Sequence, residues 1–242
     1  MTIADSACQS QHRHEQIARA LADMNARTAA ACRAANRLPH EVNVLAVSKT
    51  MPSADIRAAY LAGQRLFGEN YVQEGIDKIA ELADLDDISW HFIGPAQSNK
   101  TKDIAEHFAW MHSLDRLKIA RRLDQQRPSP LPPLQVLIQV NIDQESSKSG
   151  IALAQLEEFA AEISTFERLN LRGLMAIPQA HAMAGQQHDS FARLATAYRQ
   201  LQTTYPQVDT LSLGMSGDLD TAIAHGSTMV RIGTAIFGKR KG

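Results

Sequence analysis

The feature of this sequence that most restricts its fold is a regular alternation of strand-like and helix-like segments from residue 42 to the C-terminus. Eight short segments rich in Val, Ile and Leu read as buried strands, at residues 42–49, 65–70, 88–94, 108–113, 134–141, 171–177, 210–215 and 229–233. A helical pattern follows each of them, at residues 53–61, 71–85, 99–106, 116–126, 153–166, 187–205, 218–225 and around Ala235. Strands that alternate with helices pair in parallel, so eight units predict one closed (β/α)8 TIM barrel of the α/β class.

The competing α/β architecture is an open doubly wound sheet, which binds dinucleotides through a glycine-rich loop. No such fingerprint follows any of the predicted strands. The proline-rich segment 127–133 is too short for a domain linker, and the alternation resumes directly after it. Before the barrel, the Ala-rich segment from Glu15 to Asn36 predicts an extra N-terminal helix. We therefore expect disorder over residues 1–12 and a single domain over residues 13–242.

Composition excludes several classes of partner. The 242 residues carry a net charge of −1, so neither nucleic acid nor a membrane is an expected partner. The N-terminus is polar and does not resemble a signal peptide. Cys8 and Cys32 lack metal or redox spacing, which favours the reducing cytoplasm. The histidines show no metal-ligand spacing either, and we expect His91 and His112 to be hydrogen-bonded strand residues.

A lysine stands at the end of the first predicted strand. Lys49 follows the apolar run 42–47 and would lie at the C-terminal edge of the barrel, where the functional groups of this fold gather. Partial desolvation at such a position would lower the pKa of its amine. A neutral amine can attack a carbonyl and form a Schiff base. The alternative is that Lys49 extends its charge into solvent from a strand end.

The last two strands end in segments suited to an anion. Strand seven runs into Met215-Ser216-Gly217-Asp218, and strand eight runs into Gly233-Thr234-Ala235. Each supplies a hydroxyl, a glycine and a helix start, at the two loops where barrels often hold phosphate. Ser216 and Thr234 could instead cap their own helices. Because both occur where a phosphate would bind, an anion site is favoured.

Arg231 adds a third element to the predicted site. It lies two residues before Gly233 and so points to the same side of its strand, where a buried cation needs a partner. That partner could be a core carboxylate or the aromatic nitrogen of a ligand. A lysine able to form a Schiff base, a phosphate site and an arginine in one barrel mouth together describe a site for pyridoxal phosphate (PLP). Lys148, after strand five, is expected to be a solvated loop residue, with transient acceptance of the cofactor as the alternative.

Longer motifs surround these positions, namely Ala46-Val47-Ser48-Lys49, Phe67-Gly68-Glu69-Asn70-Tyr71-Val72-Gln73-Glu74, His91-Phe92-Ile93-Gly94-Pro95, Leu213-Gly214-Met215-Ser216 and Arg231-Ile232-Gly233-Thr234. With them the chain resembles the YggS/PROSC family of pyridoxal phosphate homeostasis proteins from about residue 42 to residue 238. The resemblance implies a fold type III PLP-binding barrel like the N-terminal domain of alanine racemase, with Lys49 bearing the cofactor. It further implies cofactor contacts from Asn70, Met215, Ser216, Arg231, Gly233 and Thr234, in which Arg231 faces the pyridine nitrogen.

The resemblance implies a protein of PLP homeostasis that buffers or delivers the cofactor, without an established turnover reaction. We expect a monomer, with PLP-dependent apoenzymes as candidate recipients. Alanine racemase adds a catalytic tyrosine from a second domain, which this single barrel is expected to lack. Two alternatives stay open. One is a PLP-dependent racemase-type enzyme with Tyr71 or Lys148 as its base, and the other is a Schiff-base aldolase or phosphate-binding barrel that uses Lys49 without a cofactor.

Overall fold

The computed structural model describes residues 3–145, 148–178 and 184–239. Within these residues a closed barrel of parallel strands runs in sequence order from β1 to β8. The strands are β1 (Asn43–Val47), β2 (Leu66–Glu69), β3 (Ser89–Phe92), β4 (Trp110–Leu114), β5 (Leu134–Gln139), β6 (Leu169–Met175), β7 (Thr210–Ser212) and β8 (Met229–Ile232). Pairing of Leu45 with Arg231 joins β1 to β8 and closes the barrel. The predicted TIM barrel is therefore confirmed.

Helices follow the strands around the outside of the barrel. Those described are α1 (Ile3–Ala34), α2 (Ser53–Leu61), α3 (Val72–Glu81), α4 (Thr101–His107), α5 (Leu117–Gln126), α6 (Leu156–Ile163), α7 (Ala184–Thr204), α8 (Leu219–Ala224) and α9 (Thr234–Phe237). Within the described ranges, none of them has the length and apolar character needed to cross a membrane.

Several strands end earlier than the sequence pattern predicts. β1 ends at Val47 and not at Lys49, and β5 ends at Gln139 and not at Asn141. The apolar pattern continues past the last sheet pair because loop residues beyond it are also buried. Val140, for example, is buried just beyond the end of β5 and forms an isolated bridge with Ile151. Apolar periodicity therefore records burial and does not mark the last hydrogen-bonded pair.

The N-terminal helix α1 begins at Ile3, whereas the sequence predicts disorder over residues 1–12. The segment from Ile3 to Ala34 contains neither proline nor glycine, so nothing in it interrupts the helix. Ile17, Leu21 and Cys32 are buried, and α1 packs against α2, α8 and α9. Arg27 of α1 also donates through Nη1 to the carbonyl oxygen of Ser216 at 2.8 Å. The extra helix thus contacts a loop at the functional end of the barrel.

Candidate functional site

The C-terminal ends of the strands surround a cavity of about 610 Å³. Ligand sites in this fold lie at this end, and the volume is in the usual range for a small-molecule pocket. All the residues predicted to contact a cofactor line the cavity: Lys49, Asn70, Met215, Ser216, Arg231, Gly233 and Thr234. The barrel therefore brings together the residues that were singled out on four separate strand ends.

Lys49 reaches the cavity from a turn that follows β1. The N–H of Met51 donates to the carbonyl oxygen of Ser48 at 3.0 Å, which closes this turn. Thr50, in the middle of the turn, has a φ of 65°, a left-handed conformation that β-branched residues rarely adopt. Lys49 is half-buried and lines the cavity, so its side chain is not simply extended into bulk solvent.

The loop between β7 and α8 carries Met215 and Ser216. The N–H of Met215 donates to Oδ1 of Asp218 at 2.6 Å, and the N–H of Asp218 donates to the carbonyl oxygen of Met215 at 3.2 Å. Helix α8 begins at Leu219 with Asp218 at its N-cap. Ser216 therefore lies outside the helix and does not cap it, which removes the alternative role for its hydroxyl.

The second loop of the predicted anion site joins β8 to α9. Gly233 is the N-cap of α9, and Thr234 is the first residue of the helix, with no side-chain cap hydrogen bond. The first N–H groups of a helix have no acceptor within it and are available to other partners. A Cβ atom on Gly233 would lie 3.3 Å from the carbonyl oxygen of Val47. The loop thus passes close to β1, the strand that leads to Lys49.

Arg231 lies at the buried floor of the cavity. Nη1 donates to the carbonyl and hydroxyl oxygens of Ser212, each at 2.8 Å, and Nη2 donates to the carbonyl oxygen of Ala176 at 2.9 Å. Burial lowers the pKa of Arg231 to about 10, and the charge of Asp218 opposes this shift. The guanidinium is therefore still a cation near neutral pH. Within the described residues, the guanidinium donates to neutral oxygens and not to the core carboxylate that was one alternative.

Asn70 follows β2 and lies against Gly94, which follows β3. A Cβ atom built on Gly94 would lie 2.0 Å from the carbonyl oxygen of Asn70. Real Cβ atoms do not approach an oxygen so closely, so only glycine fits beside Asn70 in this arrangement. The close packing of Gly94 against Asn70 fixes the position of the Asn70 backbone at the cavity wall.

Sequence comparison identifies the family of the chain. The alanine racemase, N-terminal domain family matches residues 11–241. The pyridoxal phosphate homeostasis protein of Escherichia coli (strain K12) is 56% identical over 226 residues, which cover 93% of this chain and 97% of that protein. The chain belongs to the pyridoxal phosphate homeostasis protein family. The resemblance inferred from the motifs is confirmed.

Solved structures agree with this placement in the pyridoxal phosphate homeostasis family. PipY of Synechococcus elongatus, with PLP bound, is 39% identical with a TM-score of 0.79, over 92% of this chain and all (100%) of that chain. Alanine racemase from Corynebacterium glutamicum is 15% identical with a TM-score of 0.67, over 94% of this chain and 62% of that chain. At that identity the second likeness shows the barrel fold alone.

In this member of the pyridoxal phosphate homeostasis family, Lys148 also lines the cavity. Its Nζ atom lies 2.5 Å from Oε1 of Glu145 and donates to the carbonyl oxygen of Ile177 at 3.3 Å. Asn141 donates through Nδ2 to the carbonyl oxygen of Lys148 at 3.2 Å and so holds the backbone of this loop. Lys148 is therefore a partly exposed loop residue, as predicted, whose side chain lines the cavity and pairs with Glu145.

Below the cavity, a buried polar chain crosses the interior of the barrel. The hydroxyl of Ser212 contacts Arg231 and lies 3.3 Å from Nδ1 of His112. Nε2 of His112 lies 2.9 Å from Nδ1 of His91, whose Nε2 lies 3.1 Å from Oγ of Ser89. Arg231 can only donate, and one order consistent with this has Ser212 donating to His112, His112 to His91, and His91 to Ser89. β4 and β7 are not neighbours, so the contact of His112 with Ser212 spans the barrel.

His91 and His112, the two histidines of the buried polar chain, are held neutral. Burial lowers the pKa of His91 to about 3. Burial first, and then the proximity of His91 and Arg231, lowers the pKa of His112 well below its ordinary value. Among the described residues no group of three or more potential ligands could hold a metal ion. The interpretation of His91 and His112 as hydrogen-bonded strand residues is confirmed, but the sequence did not indicate that they contact each other.

Proposed function

We propose that this chain binds PLP through Lys49 and serves PLP homeostasis by holding the cofactor and releasing it to PLP-dependent apoenzymes. The observation that carries the proposal is the single cavity that joins Lys49 to Ser216, Gly233, Thr234 and Arg231. The 56% identity to a protein named for PLP homeostasis supports the biological role. The relative PipY, described with PLP bound, supports the identity of the cofactor.

The chemistry of the cavity residues fits PLP. The hydroxyls of Ser216 and Thr234, with the first N–H groups of α9, would donate to the phosphate. Lys49 supplies the primary amine, while Asn70 and Met215 would contact the ring from the cavity wall. PLP, when bound, supplies an aldehyde that reacts reversibly with primary amines. The protein would hold and orient this group by its phosphate end and its aldehyde end at once.

Arg231 would favour retention of the cofactor over chemistry on a substrate. Its guanidinium is a buried cation held by neutral oxygens. A protonated pyridine nitrogen beside it would bring two positive charges together, so the unprotonated nitrogen is favoured. An unprotonated ring withdraws electrons weakly and stabilises a substrate carbanion poorly. This supports a carrier role without turnover, in which any racemase-like activity is a weak side reaction.

The racemase-type alternative needs a base beside the cofactor. Tyr71 is 58% exposed at the N-cap of α3 and is absent from the described residues that line the cavity. Lys148 does line it, but its ammonium is paired with Glu145. The geometry therefore favours the carrier.

We also propose a monomer in the cytoplasm. The described sheet closes on itself and leaves no unpaired edge strand for another copy to extend. Cys32 is a buried free thiol, in keeping with a reducing compartment. Light scattering coupled to size-exclusion chromatography would give the mass of one chain if the monomer is correct, and a mass of two or more chains would reject it.

The central experiment identifies the lysine that carries PLP. The purified protein is incubated with PLP, its visible absorbance is recorded, and the adduct is reduced with borohydride and mapped by peptide mass. We expect the added mass on Lys49, a band that Lys49→Ala abolishes, and a band that persists in the matched variant Lys148→Ala. An unchanged band in Lys49→Ala would reject the proposal. Amino-acid racemisation well above that of free PLP would favour the enzyme alternative.

A further inference from the structure

The residues on both sides of Lys49 are tied to one group of charged side chains outside the barrel. The N–H of Thr50 donates to Oε1 of Glu74 at 2.5 Å. The carbonyl oxygen of Ser48 accepts a hydrogen bond from Nζ of Lys78 at 2.8 Å. Glu74 and Lys78 lie one turn apart on α3, so a single helix holds the backbone before and after Lys49.

The group is completed by Glu69 at the end of β2. Nζ of Lys78 lies 2.9 Å from Oε1 of Glu69 and 2.6 Å from Oε1 of Glu74. The hydroxyl of Ser48 donates to the same oxygen of Glu69 at 2.6 Å. The side chains of Lys78 and Glu69 are only 7% and 0% exposed. We call Glu69, Glu74 and Lys78 the α3 clamp.

Burying these charges is costly, so stability alone does not account for them. A buried ion pair is often no more stabilising than apolar residues of similar volume. Burial raises the pKa of Glu69, and Lys78 and the hydroxyl of Ser48 oppose that shift. The two buried charges, Glu69 and Lys78, thus depend on each other and on the partly exposed Glu74 for compensation. A known use of such pairs is to select one conformation among several.

The conformation that needs selection is that of Thr50. Its φ of 65° lies in the left-handed region, which disfavours a β-branched residue. Such a conformation persists only where the surroundings hold it. The hydrogen bond from the Thr50 N–H to Glu74 holds the residue itself, in addition to the bond from Met51 to Ser48 that closes the turn. If that contact is lost, the turn should relax towards negative φ and redirect the neighbouring Lys49.

We infer that the α3 clamp consists of positioning residues, which fix the turn 48–50 and thereby orient the amine of Lys49 into the cavity. This inference rests on the proposed role of Lys49 as the residue that carries PLP. The clamp itself does not line the cavity within the described structure. It acts through the backbone of Ser48 and Thr50.

The first test removes the contact with Glu74→Ala. Amide hydrogen exchange, followed without PLP, should show the Thr50 amide exchanging about tenfold faster. Capture of PLP by Lys49, followed by visible absorbance, should slow by about tenfold because fewer molecules hold the competent turn. The matched control is Glu81→Ala on the same helix, since Glu81 accepts a hydrogen bond from Ser53 at 2.5 Å and not from the Lys49 turn.

The second test is a rescue that a merely structural role would not produce. Glycine adopts a positive φ at no steric cost. Adding Thr50→Gly to Glu74→Ala should therefore recover most of the rate of PLP capture that Glu74→Ala alone loses. If capture depends on Glu74 only through general stability, Thr50→Gly would recover nothing. Should Glu74→Ala fail to fold, Glu74→Gln replaces it. This variant keeps the acceptor for Thr50, and we expect near-normal exchange and capture.

The outcomes separate this inference from the proposed function. Unchanged capture and exchange in Glu74→Ala, with the PLP band still lost in Lys49→Ala, would overturn the clamp alone. Exchange of the Thr50 amide in Glu74→Gln as fast as in an unfolded turn would overturn it too. If Lys49→Ala keeps its adduct, the proposed function fails, and the exchange data still decide whether Glu74 holds the turn.

Discussion

Arg231 in β8 donates through Nη1 to the hydroxyl oxygen of Ser212 in β7 at 2.8 Å. This contact joins the floor of the candidate site to the buried polar chain through His112 and His91. It also directs the guanidinium without neutralising it, because Ser212 and Ala176 contribute neutral oxygens. A buried cation fixed in this way is ready to face an electron-rich atom of a ligand.

The first prediction concerns Ser212. Ser212→Ala removes an acceptor of Arg231 and a partner of His112, so buried polar atoms lose a hydrogen bond. We expect the free energy of unfolding to fall by about 1–3 kcal/mol, measured by urea denaturation. Ser164→Ala, at an exposed serine that donates to the carbonyl oxygen of Ala161, should change it by no more than about 0.5 kcal/mol. Equal effects in the two variants would contradict the importance of the buried chain.

The second prediction concerns the phosphate. The double variant Ser216→Ala and Thr234→Ala should weaken PLP binding by about tenfold or more, since two hydrogen bonds to a dianion are lost. Binding is measured by titration, with inorganic phosphate as a competitor, and thermal unfolding should stay unchanged. Ser164→Ala with Thr203→Ala, two exposed hydroxyls, is the matched control. Unaltered affinity in the first pair would mean that the phosphate binds elsewhere.

The third prediction concerns pH and the neutral histidines. Burial lowers the pKa of His91 to about 3, whereas an unfolded histidine has its ordinary pKa of 6.5. Below about pH 6.5 the unfolded chain therefore binds a proton that the folded chain does not, and stability falls as the pH falls. For His91 the loss is about 1.4 kcal/mol per pH unit between pH 6.5 and pH 3.

Unfolding free energies at pH 7 and pH 5 test this linkage. His91→Gln should remove part of the slope between the two values, whereas His40→Gln, at an exposed position, should leave it unchanged. If His91→Gln has the same slope as the parent protein, His91 is protonated in the folded state and the prediction fails.

The fourth prediction concerns the glycine beside Asn70. Gly94→Ala places a methyl group where the carbonyl oxygen of Asn70 lies, 2.0 Å from the added carbon. The backbone must shift, so we expect a loss of about 1–3 kcal/mol in stability together with weaker PLP binding. Gly217→Ala is the matched control, because nothing lies within 4 Å of its added carbon. Thermal unfolding compares the two, and equal melting temperatures would contradict the close approach.

The periodicity of apolar residues predicted the order of the strands and helices correctly, but it did not predict the residues at which the strands end. Burial continues past the last paired residue, so Lys49 and Asn141 were assigned to strands and lie in loops. The sequence also could not decide whether Ser216 is the N-cap of helix α8 or a residue of the loop before it. Asp218 holds that position once the loop is folded.

By itself the sequence determined the barrel, the family and several of the residues that line the cavity, because periodicity, strand ends and motifs are properties of neighbouring residues. Only the tertiary structure decided which residues distant in the sequence contact one another around the cavity. Glu74 contacts Thr50 and His112 contacts Ser212 because the closed barrel brings distant segments together. Such contacts depend on strand order and register across the whole sheet, which no local stretch of sequence records.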